Sequence, residues 1–202
     1  MKRILLSGLL ALMLASGVSA ADSSFAAIKH DLATAGCVSV EFLSILESSI
    51  FESVDSADGR AVSADDGRYW IMIGEDIYLS TGVRLYSYSA ENNQVTVEPV
   101  APGAVNTEIT LLQSLDESYK TAILQPVSVF RLTRDSSAAA GLPDSMMVFL
   151  TKNGHAIERM EYYDINDELN RIIIKALTTA EACDSSVFEP SFPDSVEIIE
   201  LF

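Results

Sequence analysis

The chain has 202 residues and a formal net charge of −16 at pH 7, because 29 acidic side chains outnumber 13 basic ones. A surface this negative is repelled by nucleic acid and by anionic lipid, since binding to either depends on Lys and Arg contacts with phosphate. Mutual repulsion, which keeps such a molecule in solution, is a sufficient reason for the charge.

The first 20 residues have the parts of a secretory signal peptide. Lys2 and Arg3 precede an uncharged apolar run, and small residues lead up to Ala20. We expect cleavage after Ala20 and export of residues 21–202 as a single domain of formal charge 11 − 29 = −18. The alternative is an uncleaved anchor, but the run is shorter than the roughly 20 residues that a spanning helix needs. No later segment is apolar enough for stable membrane insertion.

Cys37 and Cys183 are the only cysteines, and export would place them where disulfides persist. A structural disulfide is the expected pairing, and two free thiols are the alternative. The bond would close a loop of 183 − 37 + 1 = 147 residues between the first strand and the C-terminal strands. In the chain-entropy model it would stabilise the fold by about 4–5 kcal/mol.

The predicted elements begin with one helix. Asp22 can cap it, and the apolar residues Phe25, Ile28 and Leu32 recur at helical spacing up to an end near Gly36. A period of two residues then begins, and it predicts strands for most of the remaining chain.

The first strand is predicted from Cys37 to Phe51, with Val38, Val40 and Phe42 on one face. Its length predicts a strand that curves across a large sheet. Further strands are predicted at 67–74, 76–80, 83–89, 93–99, 126–134, 145–152, 155–163, 168–178 and near the C terminus, with a short helix from Asn106 or Thr107 through Leu115.

Turn residues separate these strands. Asp58-Gly59 and Asp66-Gly67 favour turns, and Asn153-Gly154 favours a two-residue hairpin. The Ser-, Ala-, Asp- and Gly-rich patches at 53–67 and 135–145 predict long hairpin loops.

Three strands, at 69–73, 146–150 and 171–174, are apolar on both faces. An antiparallel sheet with one wet face should alternate, so both faces must be covered. A tightly filled core is one explanation, and a cavity for flexible apolar ligands, walled by Met and aromatic residues, is the other.

Three patches in this order carry a family resemblance: DDGRY at 65–69, GVRLYSYS with NQVT at 82–89 and 93–96, and FEPSFPDSVEII at 188–199. Together they resemble motifs of the LolA family, periplasmic carriers of outer-membrane lipoproteins. The middle patch is similar to the family's Gly-x-x-Leu-Trp-x-Tyr...Gln-Val-Thr signature, with Tyr86 where the family usually has Trp. The element order resembles the family over the whole mature chain.

The resemblance implies a mainly β (α+β) fold, an open, strongly curved antiparallel half-barrel with helices plugging its concave face. It implies a periplasmic, monomeric carrier that holds the acyl chains of lipoproteins or other lipids in a hydrophobic cavity. Such a carrier shuttles its cargo from an inner-membrane donor protein towards an outer-membrane acceptor protein. The alternative is an envelope module on the same fold that binds a protein or senses lipid without transport.

The resemblance also places a candidate binding site. The residues expected to line the cavity are Val40, Phe42, Tyr69, Ile71, Ile73, Tyr86, Met147 and Phe149. Ordinary core packing is the competing interpretation. The family's functional Arg at the cavity mouth aligns with Asp65, an acid in place of a base, and Arg60 and Arg68 are the candidates to replace it.

No pattern of catalytic residues accompanies these features. The sequence has no Gly-x-Ser-x-Gly, His-Glu-x-x-His, Cys-x-x-Cys or Gly-rich phosphate loop, and His30 and His155 are isolated. We therefore expect no enzyme, cofactor or metal. A secreted hydrolase stays as a third hypothesis, for which the sequence nominates no residue.

Overall fold

The computed structural model describes residues 20–100, 112–113, 115, 118–125, 128–138 and 141–201. It contains helix α1 and twelve strands. Their bounds are α1 Ala20–Thr34, β1 Cys37–Ser48, β2 Ser53–Ala64, β3 Tyr69–Ile73, β4 Asp76–Ser80, β5 Arg84–Ser89, β6 Gln94–Pro99, β7 Tyr119–Gln125, β8 Val129–Arg134, β9 Ser145–Leu150, β10 Ile157–Tyr163, β11 Leu169–Ala180 and β12 Glu197–Glu200, with a short 3-10 helix at Ser185–Phe188.

The twelve strands form one sheet in the order β12-β6-β5-β4-β3-β2-β1-β11-β10-β9-β8-β7. The sheet is open and curved and does not close into a barrel. All pairs are antiparallel except β12 with β6. The long strands β1 and β11 pair at the centre, where a bulge between Glu41 and Phe42 shifts the register and bends the sheet. The expected fold class, an open and curved antiparallel half-barrel, is confirmed.

Two strands differ from the sequence-based expectation. The patch at 53–67, expected as a loop, holds the 12-residue strand β2, and β7 is absent from the predicted strands. The turn expected at Asp58-Gly59 is wrong, because Gly59 pairs with Phe42 in the middle of the β1–β2 hairpin. The short helix expected to end at Leu115 lies mostly outside the described residues, within which 112–113 are helical.

The disulfide between Cys37 and Cys183 forms as expected, with 5.0 Å between the Cα atoms. It joins the start of β1 to the segment that follows β11. Next to the disulfide, Gly36 lies so close to the backbone of Glu181 that an added Cβ would be 1.9 Å from the Glu181 carbonyl oxygen. Asp65 completes this junction, since its N–H donates to the Gly36 carbonyl at 3.2 Å. The start of β1 and the segment after β11, neighbours at the centre of the sheet, are thus held together at one end of that strand pair.

The two faces of the sheet have different covers. The face that packs against α1, here called the inner face, carries the main core, which includes Val40, Ile71, Phe130 and Val148. The opposite, outer face carries a smaller cluster in which Leu79 packs with Phe188 of the 3-10 helix. Among the described helices none is long and apolar enough to cross a membrane.

Candidate ligand-binding face

The inner face supplies a continuous apolar surface across the centre of the sheet. Val40, Phe42 and Ile71 are at most 4% exposed, and they lie on β1 and β3 in one packed cluster. Tyr69 and Ile73 are partly buried on the same face of β3 and pack against that cluster. These five residues from the predicted site are therefore brought together on one surface.

Side chains from α1 pack into the same inner core. Phe25 is 1% exposed and stacks on Phe130 with 4.4 Å between ring centroids, and Leu32 is 2% exposed. The Lys29 ammonium lies 5.7 Å from the centre of the Phe25 ring, which keeps its charge at the edge of the helix. Leu112 is also buried in the same core. Within the described residues, the cover of the inner core thus includes α1, Leu112 and Leu115.

Three residues of the predicted site lie elsewhere, and their assignment to the inner face is corrected. Met147 and Phe149 alternate along β9 with Met146 and Val148, whose side chains are buried in the inner core, so they point outward. Tyr86 pairs with Leu79 and belongs to the outer cluster.

Phe149 and Tyr86 each have a ring contact on the outer face. The Arg159 guanidinium lies 4.0 Å from the centre of the Phe149 ring, and the centroids of Tyr86 and Phe192 are 6.1 Å apart. An outer-face cavity of about 400 Å³ lies beside Trp70, Val187 and Phe192. A role for these residues in ligand binding would thus require a second site on the opposite side of the sheet.

Asp65, which the motifs align with the family's Arg, and its two candidate replacements Arg60 and Arg68 have separate environments. Asp65 is exposed, and the neighbouring Asp66 carboxylate holds Arg68 Nε at 2.8 Å. The guanidinium of Arg68 lies 4.8 Å from the centre of the Phe188 ring, on the outer face. Arg60 pairs with Glu41 across β1 and β2, with 3.5 Å between Nε and Oε1. Both candidate replacements for the family's Arg are therefore engaged away from the inner face.

The sequence analysis missed the residues that close the site. The pattern predicts that Phe25 and Leu32 face the core of the protein, but it does not identify them as the cover of the binding face. The family resemblance implies that helices plug the concave face, but the helical spacing of Phe25 and Leu32 does not show which strands they pack against. Within the described residues, no group of three or more His, Cys, Asp or Glu side chains is arranged to hold a metal ion.

Solved structures resemble this fold at low sequence identity. An uncharacterized conserved protein from Thermus thermophilus has a TM-score of 0.50 and 10% identity, over 90% of this chain and 99% of its own. A LolA superfamily protein from Nitrosomonas europaea has a TM-score of 0.45 and 11% identity, over 86% of this chain and 99% of its own. MucA/MucB of Pseudomonas aeruginosa gives a TM-score of 0.41 and 12% identity, over 85% of this chain and 61% of that one.

No family model and no curated protein matches the chain. At these identities the likeness concerns the fold alone. The open, curved sheet with a helix on its inner face is nevertheless the architecture that the sequence motifs implied. The fold is thus shared with these structures at 10–12% sequence identity.

Proposed function

We propose that this protein is an exported, periplasmic carrier that binds the acyl chains of lipoproteins or other lipids on the inner face. The observation that supports the proposal is that, within the described residues, the inner core is covered by α1 together with Leu112 and Leu115 and not by a second sheet. A helix attached at one end can leave such a surface without breaking the sheet. The motif resemblance supports the same function.

The energetics allow an acyl chain to replace the helix. Full burial of Phe25 and Leu32 stabilises the docked helix by about 1.5–3 kcal/mol for each side chain, and with a smaller share from the partly buried Ile28 the total is roughly 4–8 kcal/mol. A chain of about twelve methylenes gains roughly 10 kcal/mol when it is buried, at about 0.8 kcal/mol for each methylene. The two totals are close, so α1 and an acyl chain would compete for the inner face, and binding would be reversible.

Reversible exchange is what a shuttle needs. In this account an inner-membrane donor delivers the lipid, the carrier shields it from water, and an outer-membrane acceptor with a better site removes it. The carrier breaks no bond. Asp65 stands at the position where the family has Arg, so the family pattern does not specify the headgroup of the cargo. The proposal therefore includes both lipoproteins and other lipids.

Binding of a fluorescent fatty acid by the purified protein tests the proposal. We expect saturable binding that weakens about tenfold when Ile73 on the inner face is replaced in Ile73→Asn, because a polar group would then line the site. Phe25→Ala should strengthen binding by weakening the cover of the inner core. Phe149→Ala is the matched control on the outer face and should leave affinity unchanged. Absence of saturable binding in both the wild type and Phe25→Ala would refute the proposal.

The filled inner face also favours the alternative function, a module that binds a protein or senses lipid without carrying it. In that case α1 stays docked and the core residues serve only the fold. Mass spectrometry of protein purified from its native source separates the two functions. Bound acyl species support the carrier, and their absence, together with no fatty-acid binding, supports the alternative.

A further inference from the structure

One end of the sheet has two neighbouring hairpin loops that carry exposed large apolar side chains. The β1–β2 hairpin turns at 49–52, and the β10–β11 hairpin turns at 164–168. Strand pairing places them side by side, because Glu47 at the end of β1 pairs with Leu169 at the start of β11. With about 4.8 Å between strands, the two hairpins lie roughly 10 Å apart.

Large apolar side chains project from both loops and from the strand ends beside them. Of the ten strongly exposed large apolar side chains in the described part of the chain, five lie here, which is a concentration rather than scatter. We call this set the apolar rim: Ile50 at 71% exposed, Phe51 at 77%, Val54 at 68%, Tyr163 at 63% and Ile165 at 99%.

Hydrogen bonds from backbone N–H groups hold both loops in defined conformations. The Asp164 carboxylate accepts hydrogen bonds from the N–H groups of Asn166 at 2.8 Å and Glu168 at 3.1 Å, which presents Ile165 at the apex. In the other loop the Phe51 N–H donates to Ser48 Oγ at 3.4 Å. A loop whose backbone is already held loses less conformational freedom on binding, so it suits a docking surface.

The charges around the rim select the kind of partner. Residues 49–55 and 163–168 contain five carboxylates and no Lys or Arg. The nearest basic side chain along these strands, Arg171, is already held by Glu47 at 2.6 Å and Glu161 at 2.7 Å. An anionic membrane or a second copy of this chain would bring like charges together.

We propose that the apolar rim docks into a protein partner that has an apolar socket bordered by Lys and Arg. Five side chains form a small contact, so the complex would be transient, with Phe51 and Ile165 as its anchors. The opposite charges would speed the encounter and make it sensitive to salt. The surface lies on the loops rather than on the inner face, so this inference does not depend on acyl binding.

Site-specific photocrosslinking in cells of the native source tests the inference. A photoreactive phenylalanine analogue is placed at position 165, and as a control at Val83, which is 75% exposed in the β4–β5 turn. We expect a protein adduct from position 165 only, at a partner peptide where apolar residues are flanked by Lys or Arg.

Two further substitutions in the position-165 protein define the contact. Phe51→Ser should lower the adduct yield by about tenfold, as expected for an aromatic anchor. Asp55→Lys should lower it several-fold, whereas Glu91→Lys, the same charge change three strands from β2, should not. Fatty-acid binding by Phe51→Ser should equal that of the wild type, which keeps this test separate from the carrier function.

Several outcomes would overturn the inference. These are lipid adducts alone, adducts with a second copy of the chain alone, a yield no higher than at Val83, or a protein adduct that survives Phe51→Ser. A partner site without basic residues would also reject it. Thermal unfolding of each variant confirms that the exposed substitutions leave the fold intact.

Discussion

Gly59 makes room for an aromatic ring at the centre of the sheet. It lies directly across from Phe42, and a Cβ at this position would be 2.3–2.9 Å from three atoms of the Phe42 ring. The ring thus covers the backbone of a strand glycine, a known way to recover packing that glycine lacks. Because Phe42 belongs to the inner core, this contact fixes part of the candidate binding face.

Gly59→Ala should therefore destabilise the protein by about 1–3 kcal/mol through overpacking. The free energy of unfolding in denaturant measures the effect. Phe42→Leu in the same chain should remove most of the added cost, since the shorter side chain leaves space for the methyl group. If Gly59→Ala costs the same with Phe42 and with Leu at position 42, the clash is not the cause.

Tyr119 gives the fold a response to alkaline pH. Its side chain is 4% exposed and its hydroxyl donates to the Pro143 carbonyl at 3.0 Å. Burial, which disfavours the charged phenolate, raises the pKa of Tyr119 to about 12. Because the folded pKa lies above the ordinary value near 10, the stabilisation is complete below pH 10 and is lost as pH rises towards 12.

We expect wild type and Tyr119→Phe to differ in this window. The wild type should lose about 2 kcal/mol more than Tyr119→Phe between pH 9 and pH 12, because Phe has no proton to lose. Denaturant unfolding at a series of pH values gives the difference. If the free energy of unfolding falls equally with pH in the two proteins, ionisation of Tyr119 is not coupled to folding in this range.

At the scale of elements, the disulfide joins the start of β1 to the segment that follows β11, its neighbour at the centre of the sheet. Cys37 and Cys183 are 146 positions apart, so the loop that the bond closes contains strands β1 to β11. Substitution of both in Cys37→Ala/Cys183→Ala should lower the free energy of unfolding by about 4–5 kcal/mol in the chain-entropy model. Chemical denaturation measures this loss, and the oxidised wild type is the control. A loss below about 1 kcal/mol would mean that the unfolded chain without the disulfide still keeps residues 37 and 183 close together.

The sequence predicts the helix, most strands and the disulfide, because each has a local pattern or a single possible partner. It does not predict β2, since Asp58-Gly59 has the chemistry of a turn and only the distant Phe42 explains a strand glycine. Strand β7 is missed because most of it is exposed and shows no alternation.

The candidate site is predicted in part for a related reason. Strand β9 is apolar on both faces, so the pattern cannot decide whether Met146 or Met147 faces inward. Strand β3 has the same ambiguity, and there the motif resemblance places Tyr69, Ile71 and Ile73 on the inner face. Which face a strand presents is set by its neighbours in the sheet, and those lie far away in the chain.

At the scale of the molecule, the sheet has three surfaces with separate properties. The inner face is apolar and packs against α1. The outer face packs against the C-terminal segment around Phe188, and one end of the sheet carries the apolar rim with its carboxylates. This separation would let the protein meet a partner through the rim while cargo stays enclosed on the inner face.

Hydrogen exchange with and without a bound fatty acid tests most directly whether an acyl chain takes the place of α1. In the free protein the amides of α1 should be protected by docking. With fatty acid bound, we predict faster exchange across Phe25–Thr34 and unchanged protection in β1 and β3. Fatty-acid binding that leaves α1 as protected as before, or no binding at all, would contradict the account.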